Sequence, residues 1–130
     1  MHNQVRQWGQ EGYLTKVIQR LIEKDFAVFL TSDHGNVEAT GIGKPNEGAT
    51  ADMRGERVRV YTDPIIREGF VGEFPTAIPW RPVGLPNDFL PLLASGRSAF
   101  VQAGRRTVAH GGATMEEVIV PFVRVLGGTD

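Results

Sequence analysis

The chain of 130 residues is 41% hydrophobic and 22% charged with a formal net charge of -1, the balance of an ordinary soluble globular protein. That charge gives no global signal for nucleic acid or an anionic membrane as a partner, and the length suits one domain with its own core better than two. The absence of cysteine excludes disulfides, thiolate zinc sites and thiol nucleophiles, so any metal would be held by His, Asp, Glu or Asn, in keeping with a cytoplasmic protein.

The opening stretch MHNQVRQWGQEGY is polar and lacks the apolar core of a signal peptide. No later stretch approaches the roughly 20 apolar residues needed to span a bilayer, so no membrane partner is expected. Leu14, Val17, Ile18, Leu21 and Ile22 recur at helical spacing between charged and polar residues, which predicts an amphipathic helix with one buried stripe. Asp25 ends the pattern. The continuous apolar run FAVFL that follows predicts a strand covered on both faces in a parallel or mixed sheet. Helix, turn and buried strand form half of an α/β repeat, so the expected class is α/β.

Beyond Gly35 the chain is rich in glycine and turn formers until ERVRVYTD, where Val58 and Val60 alternate with Arg57 and Arg59. The alternation predicts a strand with one wet face. Prolines crowd residues 64–91 and argue against long regular elements there, apart from a short helix from an Asn87 cap towards Leu93. SAFVQAG and RTVAHGG read as short strands. Thr114 to Glu117 fits an S/T-x-x-E capping box ahead of a brief helical turn. In the β-branched segment from Val118 to Val125, Pro121 predicts an edge strand or a bulge.

In open α/β sheets ligands gather beyond the carboxyl ends of strands, and Asp33-His34 lies there if FAVFL is a strand. Gly35 relaxes the backbone, so carboxylate and imidazole can turn to one divalent cation; alternatively Asp33 caps a turn and His34 is simply exposed. His110, in VAHGGATMEEV, repeats the setting of a histidine followed by glycine after a short apolar stretch, and reads either as a further ligand or as a loop residue before a helix cap. His2 lies in a polar terminal stretch. GIGKPNEG lacks the G-x-x-x-x-G-K-[ST] pattern of a phosphate loop and reads as a hairpin or loop. Arg54, Arg57 and Arg59, and likewise Arg105 and Arg106, could attract a phosphate but read rather as solvated surface, and no serine or threonine stands out as an activated nucleophile.

FLTSDHGNVEATGIGKP, EGATADMRGERVRVYTD and AHGGATMEEVIVPFVRV together resemble the C-terminal part of the PglZ domain, a member of the alkaline-phosphatase superfamily that also holds the cofactor-independent phosphoglycerate mutases. The resemblance runs from about Gly12 to Val125. It implies a partial alkaline-phosphatase-like sheet with flanking helices, the 130 residues forming one domain that is the C-terminal portion of a larger one. It also implies a two-metal phosphotransfer or phosphohydrolase site for a phosphate-containing substrate, with zinc or manganese as the ions. Asp33 and His34 would ligate one ion and His110 the other. His2 would match the histidine of an upstream Asp-x-x-x-His motif, and the family's Ser or Thr nucleophile would lie upstream of this chain.

PglZ proteins are associated with phage-defence systems of the BREX type, which implies the remainder of the domain or other defence proteins as partners. Two rival readings stay open: a degenerate, non-catalytic interaction module in a defence complex, and a fragment of a phosphoglycerate-mutase-like enzyme.

Overall fold

A computed structural model describes residues 2–46 and 51–127, with side chains over 6–46 and 55–127. Helices and small sheets mix along the chain, so the class is α/β. The contacts divide the described residues into two units, one made of those up to Ser32 and from Pro121 onward, the other of those from Asp33 to Val120.

In the first unit α1 spans His2–Gln10 and α2 spans Tyr13–Ile22. The helical stripe is present on α2, but Leu14, Ile18, Leu21 and Ile22 are only half-buried and Val17 is exposed. α2 closes on Asp25, which adopts a left-handed backbone (φ 60°) while its N–H and that of Phe26 return to the carbonyls of Ile22 (2.9 Å) and Leu21 (3.0 Å). These returning bonds satisfy carbonyls that the helix end leaves unpaired, and explain why the apolar periodicity stops there.

The run FAVFL departs from expectation. β1 covers Val28–Thr31 and pairs antiparallel with β9, Phe122–Val125, in a two-stranded ribbon with Val28 opposite Val125 and Thr31 opposite Phe122. Only Val28 is buried, while Phe26, Phe29 and Leu30 are exposed. An unbroken apolar run reports hydrophobicity and not coverage, and a two-stranded ribbon leaves much of its faces open. Pro121 stands immediately before β9, so the missing N–H costs the ladder nothing.

The second unit holds two sheets. In the three-stranded one, β2 (Val37–Gly41) lies between β7 (Ser98–Ala99), parallel to it, and β8 (Arg106–Ala109), antiparallel to it. The other has the order β3, β4, β6, β5, where β3 is Ala51–Arg54, β4 Val58–Tyr61, β5 Ile78–Pro79 and β6 Leu90–Leu93. The stretch GIGKPNEG leaves the end of β2, and its last two residues lie outside the described ones. β6 is buried along its whole length, which corrects the short helix expected from Asn87 to Leu93: LPLL between two paired strands gains more from a two-sided sheet position than from a helical turn.

The proline-rich stretch also contains a ten-residue helix, α3, from Pro64 to Glu73, where no long element was expected. Its start is encoded locally. Asp63 accepts hydrogen bonds from the N–H groups of Ile65 (2.7 Å) and Ile66 (3.4 Å), and Pro64 occupies the first helical position, where a missing N–H is harmless. The core lies against this helix: Tyr61, Phe74, Leu90, Leu92 and Phe100 are buried together, with Tyr61 stacked on Phe70 and Phe74 edge-on to Phe100. α4, Met115–Val118, follows the Thr114 capping box as expected.

Candidate metal centre

Two loops meet at one end of the three-stranded sheet. In β2 and β8 the register places Val37 opposite Ala109, so the residues just before β2 and those just after β8 leave the ladder side by side. The first group is Asp33 to Asn36 and the second begins with His110. The imidazole rings of His34 and His110 stack with centroids 4.0 Å apart and planes inclined by 18°.

His34 is held from several sides. Its N–H donates to Asp33 Oδ1 (3.0 Å), and its Nδ1 lies 2.8 Å from the Gly35 carbonyl. A carbonyl only accepts, so Nδ1 carries a proton, and in the neutral ring the lone pair is left on Nε2. Nε2 in turn is 3.6 Å from Asp33 Oδ2. Asp33 is largely exposed and His34 about half so, which leaves this edge of the site open to solvent. His2 opens α1, and its side chain lies outside the described residues. Among the described residues no three His, Asp or Glu side chains surround a single point closely enough to hold one ion.

Behind the loops lies a pair of charges, one of which was expected in solvent. Arg57 and Glu117 are both buried, with Nε to Oε1 at 2.6 Å and Nη2 to Oε2 at 2.9 Å. Arg57 also donates through Nη1 to the Ser98 carbonyl. Arg59 is buried as well; it donates to the carbonyls of Gly55, Val58 (3.3 Å) and Phe100 (3.1 Å) and lies over the Phe100 ring. The alternation of arginine with valine therefore does not mark a wet strand face. Both guanidinium groups lie inside with carbonyls and one carboxylate accepting from them, which offsets part of the cost of burying a cation. Arg105 and Arg106 are exposed as expected, and the Arg54 side chain lies outside the described residues.

Glu117 accepts three hydrogen bonds besides the two from Arg57. They come from the Gly112 N–H (2.8 Å), the Thr114 N–H (3.1 Å) and the Thr114 hydroxyl (2.7 Å). Its main-chain carbonyl accepts from the Gly35 N–H at 2.8 Å. Burial by itself would raise the carboxyl pKa, but the bonds from Arg57, from the Thr114 hydroxyl and from the Gly112 and Thr114 amides outweigh it and lower the value to about 2.

A folded pKa below the unfolded one gives stability that is present above the ordinary glutamate value of 4.5 and is lost as pH falls towards 2. A loss on the order of 3 kcal/mol from this group is expected across that window, read by urea denaturation at a series of acid pH values. In Glu117→Gln the acid-dependent slope is expected to shrink; an identical slope in both proteins would contradict the assignment.

His34 and His110 thus stand ring against ring with Asp33 beside them, at the end of a sheet and on glycine-containing loops of this α/β chain. Residues 1–125 match the family described as the BREX system PglZ alkaline phosphatase-like domain, and the chain belongs to that family. No curated protein and no solved structure matches it. Among the described residues no helix is long and apolar enough to cross a membrane.

Proposed function

We propose that this chain supplies part of a two-cation centre in a metal-dependent, phosphatase-like PglZ domain, with Asp33 and His34 on one divalent ion and His110 on the other. The observation that carries the reading is the stacked His34–His110 pair with Asp33 beside it. Two ligands of one zinc-sized ion, each about 2.1 Å from it in tetrahedral geometry, stand about 3.4 Å apart, and Nε2 of His34 is 3.6 Å from Oδ2 of Asp33. Near-parallel rings 4.0 Å apart also suit two ions at the spacing of about 3.5–4 Å common to two-metal sites.

When bound, such ions neutralise charge on the attacking and leaving oxygens of a displacement at phosphorus. The protein's own part is positional. The Gly35 carbonyl fixes the His34 tautomer, and Asp33 contributes the negative charge that a cation pair needs near a phosphate-containing substrate. No nucleophile is assigned to this chain. Zinc and manganese are the favoured ions, because the donors are imidazole and carboxylate without sulfur.

Isothermal titration of the chain with Zn²⁺ and with Mn²⁺ tests this. Saturable binding is expected, weakened at least about tenfold by His34→Ala and by His110→Ala. Equal binding by the double variant His34→Ala/His110→Ala would remove the basis of the proposal.

A second reading, a degenerate, non-catalytic interaction module of a BREX-type defence complex, is favoured by the ribbon of the first unit. Phe29 and Phe122 stack there with centroids 5.3 Å apart and remain 48% and 72% exposed. Such an apolar surface suits the remainder of a PglZ domain or another defence protein.

A further inference from the structure

We infer that Glu117, clamped by Arg57, is a positioning residue that sets the spacing of His34 and His110 by holding one histidine loop with its carboxylate and the other with its main-chain carbonyl. The path is continuous. His34 Nδ1 donates to the Gly35 carbonyl (2.8 Å), the Gly35 N–H donates to the Glu117 carbonyl (2.8 Å), and the Glu117 carboxylate accepts from Gly112 (2.8 Å), two residues after His110.

Both points of attachment are glycines with no room for a side chain. A Cβ on Gly112 would stand 2.5 Å from Arg57 Nη2 and 2.7 Å from Glu117 Oε2, and one on Gly35 would run into the Glu116 carbonyl oxygen. The loops are therefore drawn against the clamp at backbone distance, where a shift of the carboxylate moves main chain and not a flexible side chain.

A purely stabilising role would not require this arrangement. A buried ion pair gains little over apolar residues of the same volume, because each ion loses its hydration. What an apolar replacement cannot do is accept hydrogen bonds from Gly112, from both Thr114 donors and from Arg57 together. Arg57 is fixed on its far side by the Ser98 carbonyl and, in sequence, stands immediately before β4. The clamp thus refers both loops to the second sheet of the unit.

The inference rests on the two-cation reading for its use, but its test does not. In the metal-free chain, stacked imidazoles shift each other's ring protons, and an NMR comparison of the His34 and His110 resonances reads the stacking directly. Glu117→Gln is expected to stay folded at low temperature, to lose the mutual ring shifts and the contacts between the two rings, and to keep the Tyr61–Phe70 and Phe74–Phe100 ring signals. Leu92→Ala, a core truncation in β6, is expected to lower the melting temperature and leave the histidine signals in place.

Folded Glu117→Gln with unchanged histidine resonances overturns the inference. Should that variant fail to fold, Thr114→Val, which removes one donor to the carboxylate, is expected to displace the His110 signals, and no displacement overturns it equally. In Zn²⁺ titration the Glu117→Gln dissociation constant is expected to rise about 10- to 100-fold, the usual effect of removing support behind a ligand. If the unsubstituted chain binds no Zn²⁺ while the ring shifts respond as described, the two-cation reading fails and the positioning role stands.

Discussion

Arg57→Ala is expected to lower the unfolding free energy by about 3–5 kcal/mol, a large share of the stability of a chain this size. The cost has little to do with packing volume. Removing the guanidinium leaves the Glu117 carboxylate buried without its two bonds from Arg57, and takes the Nη1 donor from the Ser98 carbonyl. The double variant Arg57→Met/Glu117→Leu removes both charges together, and is expected to be more stable than Arg57→Ala although it lacks more hydrogen bonds. Urea denaturation of the three proteins closes the comparison. A cost below about 1 kcal/mol for Arg57→Ala, the range of a surface pair, would mean that the pair is solvated in solution.

Gly35→Ala is expected to cost about 3 kcal/mol, against the usual direction of such a change. Ordinarily alanine stabilises by restricting the unfolded chain, and Gly69→Ala in the middle of α3, where a Cβ would meet nothing within 4 Å, is expected to do so by about 0.5–1 kcal/mol. At Gly35 the obstacle is the carbonyl oxygen of Glu116, part of the main chain, which cannot rotate aside. Relief requires the loop to withdraw from α4, and that withdrawal breaks the bond from the Gly35 N–H to Glu117. Thermal unfolding of the two alanine variants separates the cases by sign; stabilisation by both would show that the loop stands away from α4.

The parts of this fold that are legible in the sequence are those encoded locally. The stripe from Leu14 to Ile22, the Thr114–Glu117 box and the Asp-His-Gly and His-Gly-Gly pairs each depend on neighbours within one turn or one strand end. The Asp63-Pro64 helix start is equally local, yet the density of prolines around it masks the signal. Arg57 and Arg59 are illegible for a different reason. Alternation with valine is the pattern of a half-wet strand, and nothing near them in sequence announces a carboxylate that arrives from Glu117 or carbonyls that arrive from Ser98 and Phe100. Burial of a charge is a property of its distant partners.

For the same reason a family resemblance can name His34 and His110 as companions while their spacing in the sequence is silent on it. Their meeting follows from the register of β2 against β8, which only the folded chain displays.

Val37, Ala39 and Ala109 face inward in that register, while Glu38 and Val108, opposite each other, face outward. Sliding β8 by one residue would turn its inward set outward and carry His110 about 3.3 Å along the strand from its place beside His34. The misaligned pairing would thus be penalised by the core before any ligand was present. Hydrophobic sorting acts as a proofreading step for the polar site, and a chain that has folded correctly has already aligned its histidines.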